Sequence, residues 1–305
     1  MRVIITGGTG LIGRALAANL VSDNHEVIIL SRSPQRAAGV PAGVRVERWD
    51  AHSAAGWGFL ADGADAIVNL AGESLAGRWT AARKRRIRES RLNAGLAVVQ
   101  AVEQARVKPR VVIQSSGISY YGACGDEEIT EESPAGRDWL ARLAVEWEDS
   151  TAPVEAYGVR RAIIRSGIVL STAGGAFPLM VLPFRFFVGG RLGSGRQWLA
   201  WIHLADEVGA IRFLLDNEAA SGPFNLVAPN PLPQAEFSRL IGRVLSRPSF
   251  LPVPAFALRL VLGEMSILVV EGQRGVPRRL QELGFTFLFP EAEAALASVT
   301  AALST

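Results

Sequence analysis

Cysteine and histidine are nearly missing from this chain. Its 305 residues include one cysteine, Cys124, and three scattered histidines, His25, His52 and His203. A lone thiol excludes an internal disulfide and fits a reducing compartment. Dispersed imidazoles offer no ligand cluster, so no metal site is expected. An excess of one charge is missing too: 32 Lys and Arg stand against 29 Asp and Glu, a net +3. That balance argues against a nucleic-acid partner. No apolar run is long enough to span a bilayer, and the most apolar late stretch, Phe256 to Val270, is broken by Arg259 and Glu264. The first strand-like run begins at Arg2, so no signal or transit peptide is expected. With 49% hydrophobic and 20% charged residues, the chain reads as globular and cytoplasmic, with no membrane partner.

What the chain does have is a glycine-rich turn near its start. Val3-Ile4-Ile5 reads as a buried strand, Thr6-Gly7-Gly8-Thr9-Gly10-Leu11-Ile12-Gly13 as a turn, and Ala15 to Leu20 as a helix. Strand, turn and helix in that order aim backbone N–H groups and a positive helix end at one spot, where a pyrophosphate can sit. Gly7 suits the positive φ of the turn, Gly10 allows close approach of phosphates, and Gly13 allows tight packing of the helix. The spacing is G-x-x-G-x-x-G, not the commoner G-x-G-x-x-G. Thr9, Leu11 and Ile12 complete the candidate cradle.

Further strand-like runs follow at Val27–Leu30, Val44–Glu47, Ala66–Leu70, Arg110–Gln114 and Ala162–Arg165, with helical segments between them. This alternation predicts an α/β fold with a doubly wound parallel sheet. Residues 1–171 are expected to form that domain, and a strand and helix near 201–228 to return to it. Residues 172–200 and 229–305, richer in Pro, Gly and aromatics, are expected to form a smaller substrate-side lobe. Its helical C-terminal segment starts at about 248.

The end of the second strand selects the dinucleotide. An acid there would hold the ribose 2′-OH of NAD, whereas Ser31-Arg32-Ser33 suits the 2′-phosphate of NADP. NADP(H) is therefore expected over NAD(H). Asp50 is placed to meet the adenine amino group or to cap its own loop. Leu70-Ala71-Gly72 ends the fourth strand with small residues, as a cofactor lying across the sheet requires. Ser115 and Ser116 end the fifth strand, followed by Tyr120 and Tyr121; a hydroxyl and a phenol there could orient a carbonyl or move a proton. Arg83-Lys84-Arg85-Arg86, with Arg88 and Arg91, reads as a solvated helix face touching cofactor phosphates, since only Trp79 supplies a nearby aromatic.

These motifs, with Arg78-Trp79-Thr80, Trp147-Glu148, Arg165-Ser166-Gly167, Gly174-Gly175, Gly193-Ser194-Gly195 and Trp201-Ile202-His203, run almost the whole chain. Together they resemble the extended short-chain dehydrogenase/reductase superfamily. More narrowly, the chain is similar to an NAD(P)-dependent epimerase/dehydratase-like group whose members carry names such as cell-division-inhibitor or nucleoside-diphosphate-sugar epimerase homologue. The resemblance implies a Rossmann-type cofactor domain, a small substrate-side lobe and a family-specific C-terminal segment. By analogy it also implies a homodimer formed through helices flanking the sheet.

One departure stands out. Active superfamily members carry Tyr-x-x-x-Lys on the helix after the fifth strand. Here Leu140 and Ala144 fall at those places, and neither can move a proton. The superfamily's catalytic asparagine falls on Arg91, with Asn93 out of register. Ser116, Tyr120 and Tyr121 are thus the candidates for proton transfer. Phe177, Met180, Trp198 and Trp201 read as core or as an apolar wall over a nicotinamide. His203 matches a structural position. The expectation is an NADP-dependent oxidoreductase or epimerase-like enzyme on an unassigned small molecule, with a non-catalytic NADP(H) sensor as the alternative.

Overall fold

Val3, Ile4, Ile5 and Ile28, Ile29 and Leu30 are buried on both faces of their strands, as the centre of a covered parallel sheet requires. The computed structural model describes residues 1–37 and 39–301. Seven strands form the main sheet: β1 (Arg2–Thr6), β2 (Glu26–Ser31), β3 (Arg45–Arg48), β4 (Ala66–Asn69), β5 (Val111–Gly117), β6 (Arg160–Ser166) and β7 (Gly222–Leu226). Their order is β7-β6-β5-β4-β1-β2-β3, and every pairing is parallel. This is a Rossmann-like α/β fold. The crossovers diverge between β1 and β4, which opens a crevice at the strands' carboxyl ends.

The longer helices are α1 (Leu11–Ser22), α2 (Ala81–Gln104), α3 (Trp139–Asp149), α4 (Phe177–Arg185), α5 (Leu204–Asp216), α6 (Gln234–Val244) and α7 (Ala255–Leu262). Leu16 and Leu20 of α1 and Ile211 and Leu214 of α5 pack on Val3, Ile5 and Ile113. On the opposite face, Ala94, Ala97, Val98 and Ala101 of α2 meet Ile4, Ile67 and Val112. Alanines bring α2 close to the sheet. Each fully buried Leu or Ile in these layers contributes roughly 1.5–3 kcal/mol.

β5 runs three residues beyond the apolar stretch that marks it in the sequence. Ser115, Ser116 and Gly117 pair with Ile164, Arg165 and Ser166 of β6, so the ladder outweighs the weak strand preference of serine. Beyond the sheet, short strands pair Ile168–Leu170 with Trp201–His203 and Trp198–Leu199 with Leu232–Pro233. Phe177 and Trp201 sit in a separate core with Phe237 and Leu296, with Met180 packed against it. These three are packing residues, which leaves Trp198 of the four apolar-wall candidates. The C-terminal segment is helical at α7, Ile267–Val270, Arg278–Glu282 and Ala292–Ala301. Both carboxylate oxygens of buried Asp206, in the first turn of α5, accept backbone N–H groups of Leu288 and Phe289 at 2.7 and 3.0 Å. His203 caps α5, its Nδ1 accepting from the Ala205 N–H at 3.1 Å.

Candidate functional site

The glycine loop is built to near-zero clearance. Gly7 has φ +67°, and a Cβ there would meet the Leu70 carbonyl at 2.6 Å. A Cβ on Gly13 would lie 2.5 Å from Gly8 Cα and 2.7 Å from the Gly7 oxygen, so Gly13 lets α1 close on its own turn. Gly8, which sequence reasoning passed over, rests on Ile29 of β2, where a Cβ would come within 2.5 Å of the side chain. Gly10 is looser, its nearest neighbour 3.2 Å from a Cβ, and it is exposed along with Thr9. No side chain caps α1, so its first-turn amides face outward without a side-chain acceptor. Leu11 reaches the Gly174-Gly175 turn, where a Cβ on Gly175 would touch its Cδ2 at 3.2 Å.

At the end of β2, Ser31 Oγ accepts the Ser33 N–H at 3.2 Å. Arg32 is exposed and has no hydrogen bond or ion pair among the described residues. Arg14 of α1 also reaches this loop, its Nη1 3.1 Å from where a Gly39 Cβ would stand. Nothing in the helical pattern singled it out. Asp50 serves its own loop: its carboxylate accepts the N–H groups of His52 and Ser53 and the Ser53 hydroxyl at 2.7–2.8 Å.

A row of polar side chains crosses the sheet at the crevice. Thr6, Asn69 and Gln114 are in register on β1, β4 and β5 and are fully buried. Thr6 Oγ1 donates to Asn69 Oδ1 at 2.6 Å, and Asn69 Nδ2 donates to Gln114 Oε1 at 2.8 Å. Gln114 Nε2 donates to the Ser115 carbonyl at 2.6 Å. Thr6 Oγ1 also accepts the Ala71 N–H at 3.3 Å, which fixes Leu70-Ala71-Gly72 over the glycine loop. Arg91 lies under Gly72, where a Cβ would come within 3.1 Å of its guanidinium carbon. Its Nη1 donates to the Glu73 and Ile87 carbonyls, and it stacks on Trp147 at 4.7 Å. Burial pulls Arg91 down to about 10, partly opposed by the Glu73 carboxylate.

The rest of the basic run is spoken for within the chain. Lys84 pairs with Glu264, Arg86 with Glu73, and Arg88 with Glu146, while Arg83 donates to the Ser74 carbonyl. The face is internally neutralised rather than merely solvated.

Two of the three proton-transfer candidates face inward. Ser116 Oγ donates to Glu148 Oε1 at 2.7 Å. Glu148 also holds Arg165 through two bonds of 2.9 Å, from Nε to Oε1 and from Nη2 to Oε2. Arg165 Nη1 donates to Tyr121 Oη at 2.8 Å, and Tyr121 donates onward to Asn225 Oδ1 at 2.8 Å. Burial pushes the Tyr121 phenol up to about 12, against the opposing pull of Arg165. A phenol so buried, with its donor and acceptor roles both filled, holds its proton near neutrality. Tyr120 stacks on the Arg165 guanidinium at 3.4 Å, and its hydroxyl has no partner among the described residues. Ser115, also buried, lends its carbonyl to the polar row.

Beside this network a cavity of about 90 Å³ opens between the end of β5, the start of α3 and the C-terminal segment. Ile118, Ser119, Asp138, Leu140, Trp198 and Glu271 are among its walls. Leu140 faces the cavity and Ala144 is buried one turn further along α3. Asp138 caps α3, with Oδ1 accepting the Ala141 N–H at 3.0 Å. Ser119 was not anticipated; only its position two residues beyond Gly117 could have pointed to it.

The sequence profile described as "NAD dependent epimerase/dehydratase family" matches residues 3–227. The chain belongs to that family. A second profile, "Domain of unknown function (DUF1731)", matches residues 253–299 of this family member. Epimerase family protein YfhF of Bacillus subtilis (strain 168) is 39% identical over 302 residues, 99% of this chain and 98% of that protein. Epimerase family protein SDR39U1 of Mus musculus is 37% identical over 306 residues, 99% of this chain and 100% of that protein. The crystal structure of human epimerase family protein SDR39U1 (isoform2) with NADPH superposes with a TM-score of 0.88 at 34% identity, covering 99% of each chain.

Proposed function

We propose that this family member binds NADP(H) in preference to NAD(H) and acts on a small molecule as an oxidoreductase or epimerase-like enzyme. The observation that carries the reading is the glycine loop: three positions that exclude a Cβ surround one, Gly10, that stays open beside uncapped helix amides. A structure of human SDR39U1 with NADPH supports the same cofactor class. Gly7, Thr9, Gly10, Leu11, Ile12 and Gly13 would hold the pyrophosphate. Ser31, Arg32 and Arg14 would hold a 2′-phosphate, and Asp50 would border the adenine. Leu70, Ala71, Gly72, Arg91 and Ser115 would line the remainder of the cofactor.

When bound, the nicotinamide supplies or accepts a hydride. The chain's own part is to exclude water with Ile118, Leu140 and Trp198 and to hold a proton at a hydroxyl or carboxyl. Ser119, Asp138, Glu271 and Tyr120 are the groups left for that role once Ser116 and Tyr121 are committed inward. Residues 172–200 and 229–301 would form the substrate side.

Calorimetry tests the cofactor preference. NADP is expected to bind more tightly than NAD. Arg32→Ala is expected to weaken NADP by about tenfold or more while leaving NAD unchanged, since a charge-assisted bond contributes about 1.5–3 kcal/mol. Equal affinities, or a ratio untouched by Arg32→Ala, would refute the preference.

A second reading, a non-catalytic NADP(H) sensor, is favoured by Leu140 in the cavity where the superfamily's tyrosine is expected. NADPH oxidation across aldehydes, ketones and nucleotide sugars separates the two: turnover on any of them excludes the sensor.

A further inference from the structure

The exposed apolar side chains of this molecule are not scattered. Of the sixteen large hydrophobics exposed among the described residues, eleven lie in 179–188 and 250–268. Phe186, Phe256 and Leu260 are 70%, 73% and 79% exposed, far beyond what packing residues show. The chain that follows the first segment runs alongside the chain that opens the second. Gly189 bridges to Ser249 and Leu192 to Val253, the Leu251 N–H donates to the Gly189 carbonyl at 3.1 Å, and α7 follows at once. Exposed apolar surface gathered in this way marks an interaction site.

As far as Leu262, the polar groups of these segments are of one kind. From Leu179 to Val188 and from Phe250 to Leu262 the only polar side chains are Arg185 and Arg259. No acid occurs between Glu155 and Asp206 or between Glu236 and Glu264. Arg247 lies against the Phe187 ring at 4.6 Å. Glu264, just beyond α7, is already paired with Lys84, so a second copy docked on this face would bring guanidinium groups together with no free carboxylate to meet them. A specific protein partner would find almost no hydrogen-bonding side chains, whereas protein interfaces carry many. Hydrocarbon interspersed with guanidinium groups matches a lipid surface, with rings and aliphatic chains in the acyl boundary and cations at the headgroups.

We propose that α4, the 186–188 turn and α7 form an interfacial patch that docks this protein on an anionic membrane surface. The protein lies on the bilayer and does not cross it; no described helix is long and apolar enough to do so. The proposal is independent of the cofactor reading and departs from the expectation, drawn from composition, of no membrane partner.

Co-sedimentation with vesicles tests it, using phosphatidylcholine alone and phosphatidylcholine with about one third phosphatidylglycerol. The protein is expected to bind the anionic vesicles at least about tenfold more strongly, because each surface cation adds to the attraction. Binding should fall as salt approaches about 1 M. The double substitution Phe256→Ser, Leu260→Ser and, separately, Arg185→Glu with Arg259→Glu should each weaken binding about tenfold. Both should leave NADPH affinity and the circular dichroism spectrum unchanged. No binding to anionic vesicles, equal binding to neutral ones, or unchanged binding by either variant pair overturns the proposal. A concentration-dependent dimer that the serine pair dissolves overturns it in favour of a second copy.

Discussion

Glu148→Ala is expected to lower the unfolding free energy by about 3–5 kcal/mol, the usual effect of removing one partner of a buried ion pair. Glu148 and Arg165 are both below one-tenth exposed, and their bond is bidentate. Burial works against the Arg165 charge, and the hydrogen bonds and charge of Glu148 more than reverse that, raising Arg165 above its ordinary value. Without the carboxylate, a guanidinium is left buried beside the Tyr121 phenol, and the Ser116 hydroxyl loses its acceptor. Urea unfolding measures the difference. Glu148→Gln should lose less, because one amide oxygen can still accept. A loss for Glu148→Ala below about 1 kcal/mol would mean that water reaches the pair and that the network is no anchor.

Glu207→Gln is expected to remove a pH-dependent penalty from the fold. Glu207 is fully buried in the first turn of α5; its Oε1 accepts from Ser166 Oγ at 2.6 Å, and its Oε2 has no partner among the described residues. Burial pushes its carboxyl up to about 8, with the Ser166 bond opposing. The folded value lies above the unfolded one, near 4.5, so the folded state binds the proton more tightly. Stability from this group is therefore complete below about pH 4.5, falls as pH rises through the window to about 8, and is level above it. Integrated over that window the loss is on the order of 5 kcal/mol. A neutral amide of the same shape has no such slope. The variant should gain on the parent by a few kcal/mol from pH 5 to 8, read as a widening gap in urea midpoints. Parallel pH profiles for the two proteins would show that Glu207 is ionised in the fold and stabilised by contacts other than Ser166.

The sheet was legible because its strands are β-branched and its turns carry glycine. Val3–Ile5, Val27–Leu30, Ala66–Val68 and Val111–Ile113 all sit in strands and in the core. The glycine loop was legible because positive φ and close approach leave few residue choices. The polar interior was not. Thr6, Asn69 and Gln114 look like ordinary strand-end residues until three strands align them in one row. Glu207 reads as an acid complementing the helix dipole, a pattern that does not reveal burial. Ser116 and Tyr121 looked available because a sequence gives spacing and not facing. The pleat turns Ser116 toward Glu148, and the partners of Tyr121, Arg165 and Asn225, lie 44 and 104 residues away. Similarly, the basic run on α2 finds its acids at 73, 146 and 264, beyond any local pattern.

Titration of NADPH into the parent protein and Gly13→Ala tests most directly whether the first βα turn is a phosphate cradle. A methyl group at Gly13 must displace Gly8 Cα from 2.5 Å and the Gly7 oxygen from 2.7 Å, which reshapes the turn without touching the rim arginines. The predicted result is parent affinity of about 1 μM or tighter and a loss of about a hundredfold or more in the variant. A parent protein that takes up neither NADPH nor NADH, or a variant that binds as well as the parent, would contradict it.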